Sequence, residues 1–199
     1  MVFNEKNEQN NILVRPLTLK DIGSNYIEWF NDAEVTKYLD AKNLSVEQCK
    51  NYLKNGILQR SYYIFAICDR IKNIHIGNIK VGPIRRFDGV SDLVTVIGNK
   101  NYWGRNIASM SIKLIKERVF LESGIRKFVA SIDSLNTASI NAYKKAGFEV
   151  EAKLSNFFIH KNNNNEISYS DKIYVSSNNI NYNLNKFNKW EPIHIEDIK

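Results

Sequence analysis

Cysteine, histidine, proline and glycine are all scarce in this chain of 199 residues, and each shortage removes a class of protein. The two cysteines, Cys49 and Cys68, lie in unrelated segments without metal-ligand spacing, and the three histidines do not complete a set with them. A disulfide-stapled scaffold and a Cys/His zinc cage are therefore excluded; no metal is expected, and the thiols read as reduced, in a cytoplasmic setting. Three prolines and nine glycines are too few for a collagen-like or linker-rich chain. No stretch reaches the roughly 18 to 20 consecutive apolar residues of a membrane-spanning helix. Residues 1–11 are polar and Asn-rich, the wrong composition for a secretory signal, and read as a flexible N-terminal segment. The net charge of +7 favours anionic partners such as phosphorylated cofactors or nucleotide-linked substrates. That charge is spread out, with no run of five or more Lys/Arg, which argues against a dedicated nucleic-acid arm.

What is present is an ordinary globular composition, 43% apolar and 25% charged, in a length that suits one domain. Residues 12–15 alternate briefly and end at Pro16, as a short first strand would. Thr18 with Asp21 three residues on resembles a helix-capping arrangement, and apolar residues follow at helical spacing through Phe30. Ser45 with Gln48 is a capping box for a second helix expected to run to about Asn55 and stop at Gly56. Residues 62–68 and 75–81 are dense apolar runs, the second closed by Gly82-Pro83. Asp88-Gly89 marks a turn, and 93–97 is a further strand rich in β-branched residues. Ala108, Ile112, Ile115 and Val119 then share one face of an amphipathic helix with Gly124 as its C-cap. Residues 128–132 read as a strand, 136–146 as a helix, and 148–159 with 167–175 as a closing antiparallel hairpin. The result is an α+β domain with a mostly antiparallel sheet over residues 12–175, followed by an Asn-rich tail, 176–199, in which Trp190 and Ile193 are the docking candidates.

Two segments carry chemistry. The stretch 93–108 runs from a strand through a loop with Gly98, Gly104 and Asn106 into a helix beginning near the small Ala108. Free amides at a helix N-terminus, a favourable dipole and small residues make a cradle for pyrophosphate, with Arg105 available for a charge-assisted contact. The same residues also suit an ordinary strand-to-helix turn. In the second segment, Asn136 is a good N-cap, Ser139 follows at the third helical position, and Tyr143 lies one turn further on the same face. Read plainly, this is a capped helix with a core tyrosine.

Together they resemble the GNAT superfamily of N-acetyltransferases. Tyr102-Trp-Gly-Arg-Asn-Ile-Ala108 is similar to the coenzyme motif Gln/Arg-x-x-Gly-x-Gly/Ala in its Tyr-Trp-Gly-(Lys/Arg)-Gly-Tyr-Ala form. Residues 136–148 match the downstream Asn-x-x-(Ser/Ala)-x-x-x-(Tyr/Phe/Glu)-x-Lys-x-Gly-Phe. His75-Ile-Gly-Asn-Ile-Lys-Val-Gly-Pro83, Val14-Arg-Pro-Leu17 and the segment 29–39 resemble the branch containing ribosomal-protein N-terminal and amino-sugar acetyltransferases. Two departures stand out: Asn106 replaces a usual second glycine, and Trp103 stands where Gln or Arg is frequent.

The resemblance implies a single GNAT-like domain whose sheet splays between the fourth and fifth strands, with acetyl-CoA as cosubstrate in the gap. The pantetheine arm would bond backbone groups of Val96, Ile97 and Gly98, the Ile97 region would stabilise the oxyanion, and Trp103 would flank the loop. The pyrophosphate would sit on the amides of Gly104, Arg105, Asn106, Ile107 and Ala108, next to Asn136 and Ser139. The amine attacks the thioester directly, so the remaining tasks are proton transfers. Tyr143 stands where the family places the partner of the leaving thiolate; its other reading is a packing tyrosine. Asp92 is the candidate base, against a solvated turn acid, and His75 the second candidate, against a structural histidine. The acceptor pocket is expected from residues 29–55 and 157–169, with Trp29, Tyr38, Phe157 and Phe158 as a possible aromatic wall. Charge leans towards an anionic acceptor such as a nucleotide-linked amino sugar. A protein N-terminus, an inactive acyl-CoA-binding fold and a nucleic-acid or ribosome-associated binder are the alternatives. Monomer and homodimer both remain open.

Overall fold

The computed structural model describes residues 11–161, 164–182 and 190–199; the expected flexible segment 1–11 therefore lies almost wholly outside the described residues. The elements follow the expected order: β1 (Ile12–Pro16), α1 (Ser24–Asn31), α2 (Val46–Leu58), β2 (Tyr63–Asp69), β3 (Ile74–Arg85), β4 (Val90–Ile97), α3 (Ile107–Ser123), β5 (Lys127–Asp133), α4 (Thr137–Lys145), β6 (Glu149–Lys161) and β7 (Ile167–Asn178). They build one seven-stranded sheet in the order β1-β2-β3-β4-β5-β7-β6. Every pairing is antiparallel except β4 with β5, which is parallel. The helix α3 is the crossover that a parallel pair requires.

The registers define the two faces of the sheet. Val81, Leu93 and Ile79 pair across β3 and β4 with Thr95 on one face, and Ser91 aligns Phe128 of β5 with them. Phe120 of α3 stacks on Phe128 at 5.1 Å, so α3 covers this face. Its buried row Ile112, Ile115 and Val119 falls at steps of three and four, as amphipathic spacing requires. The opposite face, containing Lys80, Asp92, Val94 and Val96, meets α2 where the Lys80 ammonium donates to the Tyr52 hydroxyl at 3.1 Å. The helices α1 and α2 cover only the β1–β3 half of that face. Beyond it Val94 and Ser131 are exposed.

Strand ends differ from the sequence reading at β4, which begins at Val90 rather than residue 93, and at β7, which runs to Asn178 rather than 175. Three further boundaries differ because a tertiary contact outweighs a local signal. The Thr18–Asp21 arrangement forms, with the Asp21 carboxylate accepting from the Thr18 amide at 2.8 Å, but it closes a turn. Asp21 is also held by both arms of Arg15 at 2.7 Å, and α1 starts only at Ser24. The Arg15 and Thr18 contacts outweigh burial and hold that carboxyl at about 2. The Ser45–Gln48 capping box is present as expected, but α2 runs past Gly56 to Leu58. Gly56 is a notch: a Cβ there would collide with the ring of Tyr62, whose backbone is in turn pressed against Gly82. Finally, β3 continues through Gly82-Pro83 to Arg85 with a register shift between Val81 and Ile84. In the tail, Trp190 and Ile193 are buried, and Trp190 packs edge-on against Tyr63 at 5.4 Å.

Replacing a helical glycine by alanine ordinarily stabilises by about 1 kcal/mol. Here the notch reverses the sign. Gly56→Ala is expected to destabilise the fold by about 1–3 kcal/mol through overpacking, read as a lower urea midpoint with an unchanged slope.

Candidate active site

The parallel pairing of β4 with β5 lasts only three residue pairs, Val90–Lys127, Ser91–Phe128 and Asp92–Val129. Past Asp92 the two strands separate, and a cavity of about 590 Å³ fills the opening. It is lined by Thr95, Val96 and Ile97 of β4, by Trp103, Gly104, Asn106, Ile107 and Ala108 of the following loop and α3, and by Asn136, Ser139 and Tyr143 at α4. Thr95 and Val96 point to opposite faces of the sheet, so the cavity passes into the gap between the strands.

At the wide end, the loop before α3 is built to present donors. Gly104 (φ 74°) and Asn106 (φ 58°) are both left-handed, which Gly adopts freely and Asn tolerates. Asn106 thus takes the conformation of the glycine it replaces and serves as the N-cap position of α3. Among the described residues, the amides of Gly104 to Ser109 donate to no protein acceptor, and the first intrahelical bond is Met110 to Asn106 at 3.1 Å. A Cβ on Gly104 would meet nothing within 4 Å, so the loop faces open space. Free amides, helix dipole and absent side chain fit a pyrophosphate. Lys145 adds a cation here, donating to Asn106 Oδ1 at 2.7 Å. The loop is pinned from behind by the Tyr102 hydroxyl on Asp69 (2.7 Å) and by the Trp103 indole N–H on the Ile97 carbonyl (2.8 Å).

At the narrow end, the Tyr143 hydroxyl donates to the Leu93 carbonyl at 2.6 Å, one residue past the last β4–β5 pair. Tyr143 is fully buried, and that burial holds its hydroxyl protonated well above the ordinary tyrosine range. Asp92 stands at the same level on the opposite face, half-buried, and adds to the upward push on Tyr143. Burial likewise raises the Asp92 carboxyl, while Lys80, Lys172 and Arg85 pull it back down. At the level where the strands part, the phenol lines the cavity on one face and the Asp92 carboxyl lies on the other, outside the lining.

The remaining expected residues fall as follows. Gly98 does not line the cavity; it lies against Trp29, whose ring occupies the space a Cβ would need. Arg105 lies over the Tyr102 ring at 5.5 Å, outside the lining. His75 is a satisfied histidine: its Nε2 meets the Gly77 carbonyl and Asn78 Oδ1, both at 2.9 Å, and burial lowers its pKa. Of the four aromatics considered for an acceptor wall, Tyr38 lines the cavity and bonds the Leu135 carbonyl at 3.1 Å, Trp29 packs on His75 at 4.9 Å, and Phe157 packs on Phe158 at 5.0 Å. Among the described residues no ring contact joins them into one wall. Sequence reasoning gave no role to Lys145 or Tyr102, although both stand within the quoted motifs.

The acetyltransferase (GNAT) domain model matches residues 11–149, about two thirds of the chain. An uncharacterized N-acetyltransferase, p20, of Bacillus licheniformis is 23% identical over 134 residues, 65% of this chain and 75% of that protein. A spermidine N-acetyltransferase from Vibrio cholerae, solved with CoA and spermine, superposes with a TM-score of 0.73 at 16% identity, covering 89% of this chain and 98% of that one. The ribosomal-protein-S5-alanine acetyltransferase of Vibrio fischeri gives 0.74 at 15% identity, covering 90% and 100%. No described helix is long and apolar enough to cross a membrane.

Burial of Asp92 has a measurable consequence. A carboxyl whose folded pKa is raised binds its proton more tightly folded than unfolded, so its contribution to stability falls as pH rises from the ordinary 3.8 through the folded value. Asp92→Asn is accordingly expected to raise the melting temperature at pH 7, with the gain shrinking as the pH is taken below about 4. Equal gains at both pH values would show that burial of this charge is not the cause. By the family match and the fold, the chain belongs to the GNAT acetyltransferase family, enzymes that take an acetyl group from acetyl-CoA.

Proposed function

We propose that this protein transfers the acetyl group of acetyl-CoA directly to a primary amine within a ternary complex, and that its acceptor is a small amine carrying negative charge. A nucleotide-linked amino sugar is the leading candidate. The observation that carries this reading is the gap beyond Asp92, with six free amides at one end and, at the other, Tyr143 and Asp92 on opposite faces of the sheet. The pyrophosphate of the coenzyme would lie on the amides of residues 104–109 beside Lys145, and the pantetheine arm along Val96 and Ile97 into the gap. That path ends the thioester at the apex. The amine arrives from the open sheet face, where the Asp92 carboxylate accepts its proton directly or through water. Attack on the carbonyl releases the thiolate towards the other face, where the Tyr143 hydroxyl supplies a proton.

No enzyme nucleophile is required, and Cys49 and Cys68 serve none of these steps. Both are buried free thiols, which supports a reducing, cytoplasmic setting. A polycationic acceptor, such as the spermine bound by the Vibrio cholerae enzyme, suits this face poorly, because the charged groups acting on Asp92 are Lys80, Lys172 and Arg85. A protein N-terminus is the second reading. It is favoured by the exposed stretch of sheet around Val94 and Ser131, which leaves room for an extended chain.

The test is free-thiol release from acetyl-CoA against nucleotide-linked amino sugars, peptides and polyamines, with native protein and Tyr143→Phe. Loss of the hydroxyl is expected to lower kcat by about two orders of magnitude with KM for acetyl-CoA little changed. An unchanged kcat would remove Tyr143 from proton transfer, and coenzyme binding without turnover on any amine would make this a binding fold.

A further inference from the structure

Two lysines on the open face have no carboxylate within ion-pair distance among the described residues. Lys80 donates to the Tyr52 hydroxyl at 3.1 Å and lies 5.7 Å and 5.6 Å from the Tyr52 and Tyr62 rings. Those rings stack on each other at 4.5 Å, the Tyr62 hydroxyl bonds the Tyr52 carbonyl, and the Gly56 notch seats Tyr62. Lys172 lies 4.3 Å from the Phe157 ring and 5.2 Å from the Tyr174 ring. Other cations lie over one ring, as Lys37, Lys72, Arg105 and Lys116 do, or meet an acid, as Lys100, Lys127, Lys153, Arg15, Arg85 and Arg118 do; Lys80 and Lys172 each lie over two rings. A flexible surface lysine gains little by lying on one ring, but two rings each, with their own supports, fix where the ammonium stands.

The registers place these two cations on either side of the gap. Lys80 pairs with Val94 of β4, and Lys172 pairs with Asp133 of β5. Both pairs lie beyond the last β4–β5 pair, Asp92–Val129, towards the open end. Both ammonium groups act on Asp92 from their own strands, together with Arg85, whose charge is already met by Asp88 at 2.8 Å. The mouth through which an acceptor reaches Asp92 thus has one unpaired, aromatic-held cation on each flank.

We infer that Lys80 and Lys172 form a clamp that reads an anionic group, carboxylate or phosphate, on the acceptor and thereby orients its amine at Asp92. This rests on the acetyl-transfer reading for the identity of the acceptor, but the clamp itself is a statement about anion binding. Such a clamp would also disfavour polyamines, since a second cationic centre would meet the same two ammonium groups.

The test separates the two. Protein saturated with CoA is titrated calorimetrically with matched amines: glucosamine 6-phosphate against glucosamine for phosphate, and an aspartyl dipeptide amide against its asparaginyl counterpart for carboxylate. One anionic member is expected to bind about tenfold tighter than its neutral partner, the scale of a charge-assisted contact in a partly screened site. Lys80→Met and Lys172→Met, which keep length without charge, should each narrow that ratio and together bring it close to one, with the melting temperature reporting the fold. Lys80→Glu with Lys172→Glu should shift preference to spermidine. The inference is overturned if native protein binds neither anionic amine better than its partner, or if the methionine variants weaken both members alike and leave the ratio intact, as a purely structural role would. Acetylation of the preferred amine is then assayed separately. Tight anion binding without turnover would leave the clamp standing and sink the transferase reading.

Discussion

Two neighbouring strands that part company leave backbone groups with no sheet partner, and a buried carbonyl without a donor is costly. After Asp92 the β4 edge faces that problem, and the protein answers it with side chains. The Tyr143 hydroxyl takes the Leu93 carbonyl, and the Trp103 indole takes the Ile97 carbonyl. The gap is held open between these two bonds. Tyr143 also packs edge-on against Phe148 at 5.1 Å, so the helix that delivers the phenol is anchored at its C-terminal end. At its N-terminal end Asn136 accepts the Ser139 amide at 3.1 Å. The Lys116 ammonium on the Ala146 carbonyl, at 2.7 Å, ties the C-terminal end of α4 to α3, the other helix that lines the cavity.

The site's electrostatics follow from the same opening. Thr95, Val96, Ile97, Ile107 and Ala108 give the cavity a wall of β-branched and small residues, and its charged lining residues are Glu34, Lys37 and Lys145. The amide dipoles and Lys145 stand at the α3 end, while Lys80, Lys172 and Arg85 lie outside the lining, on the opposite face where they act on Asp92. The loop after α1 closes the far side of the cavity, where Lys100 joins Asp32 at 2.7 Å and Glu34 at 3.1 Å. These are exposed pairs worth little to stability, and they bridge the chain before α2 to the chain before α3.

Much of this was legible in the sequence because it depends on neighbours close along the chain. The Asn136 cap, the left-handed Asn106 and the Gly124 C-cap are decisions of three or four residues, and each appears where its local chemistry requires. Element order followed from periodicity for the same reason. What could not be read is what depends on partners far away. Asp21 resembled a helix signal until Arg15 claimed it, and Gly56 resembled a stop until Tyr62 filled its notch. Gly98 stood in the coenzyme motif, yet its missing side chain is explained by Trp29, nearly seventy residues earlier. Lys80 and Lys172 carried no sequence signal at all, because a lysine's significance here lies in which rings lie beneath it and which acids are absent.

Desolvation acts on the two groups at the apex in one direction and produces two different chemical aptitudes. It disfavours the charged form of each, so the pKa of Tyr143 and that of Asp92 both rise. For a phenol this keeps the proton in place, available to a group that acquires negative charge nearby. For a carboxylate it strengthens the affinity for a proton, which is what a base accepting one from an ammonium requires. Neighbouring cations limit the second effect: Lys80, Lys172 and Arg85 lower the Asp92 pKa against burial, and the net direction is still upward. An anion bound between Lys80 and Lys172 would remove part of that restraint. On the proposed reading, in which Asp92 is the base and the acceptor is anionic, binding of the acceptor would itself raise the proton affinity of Asp92 as the amine arrives, coupling recognition to the proton transfer that must precede attack.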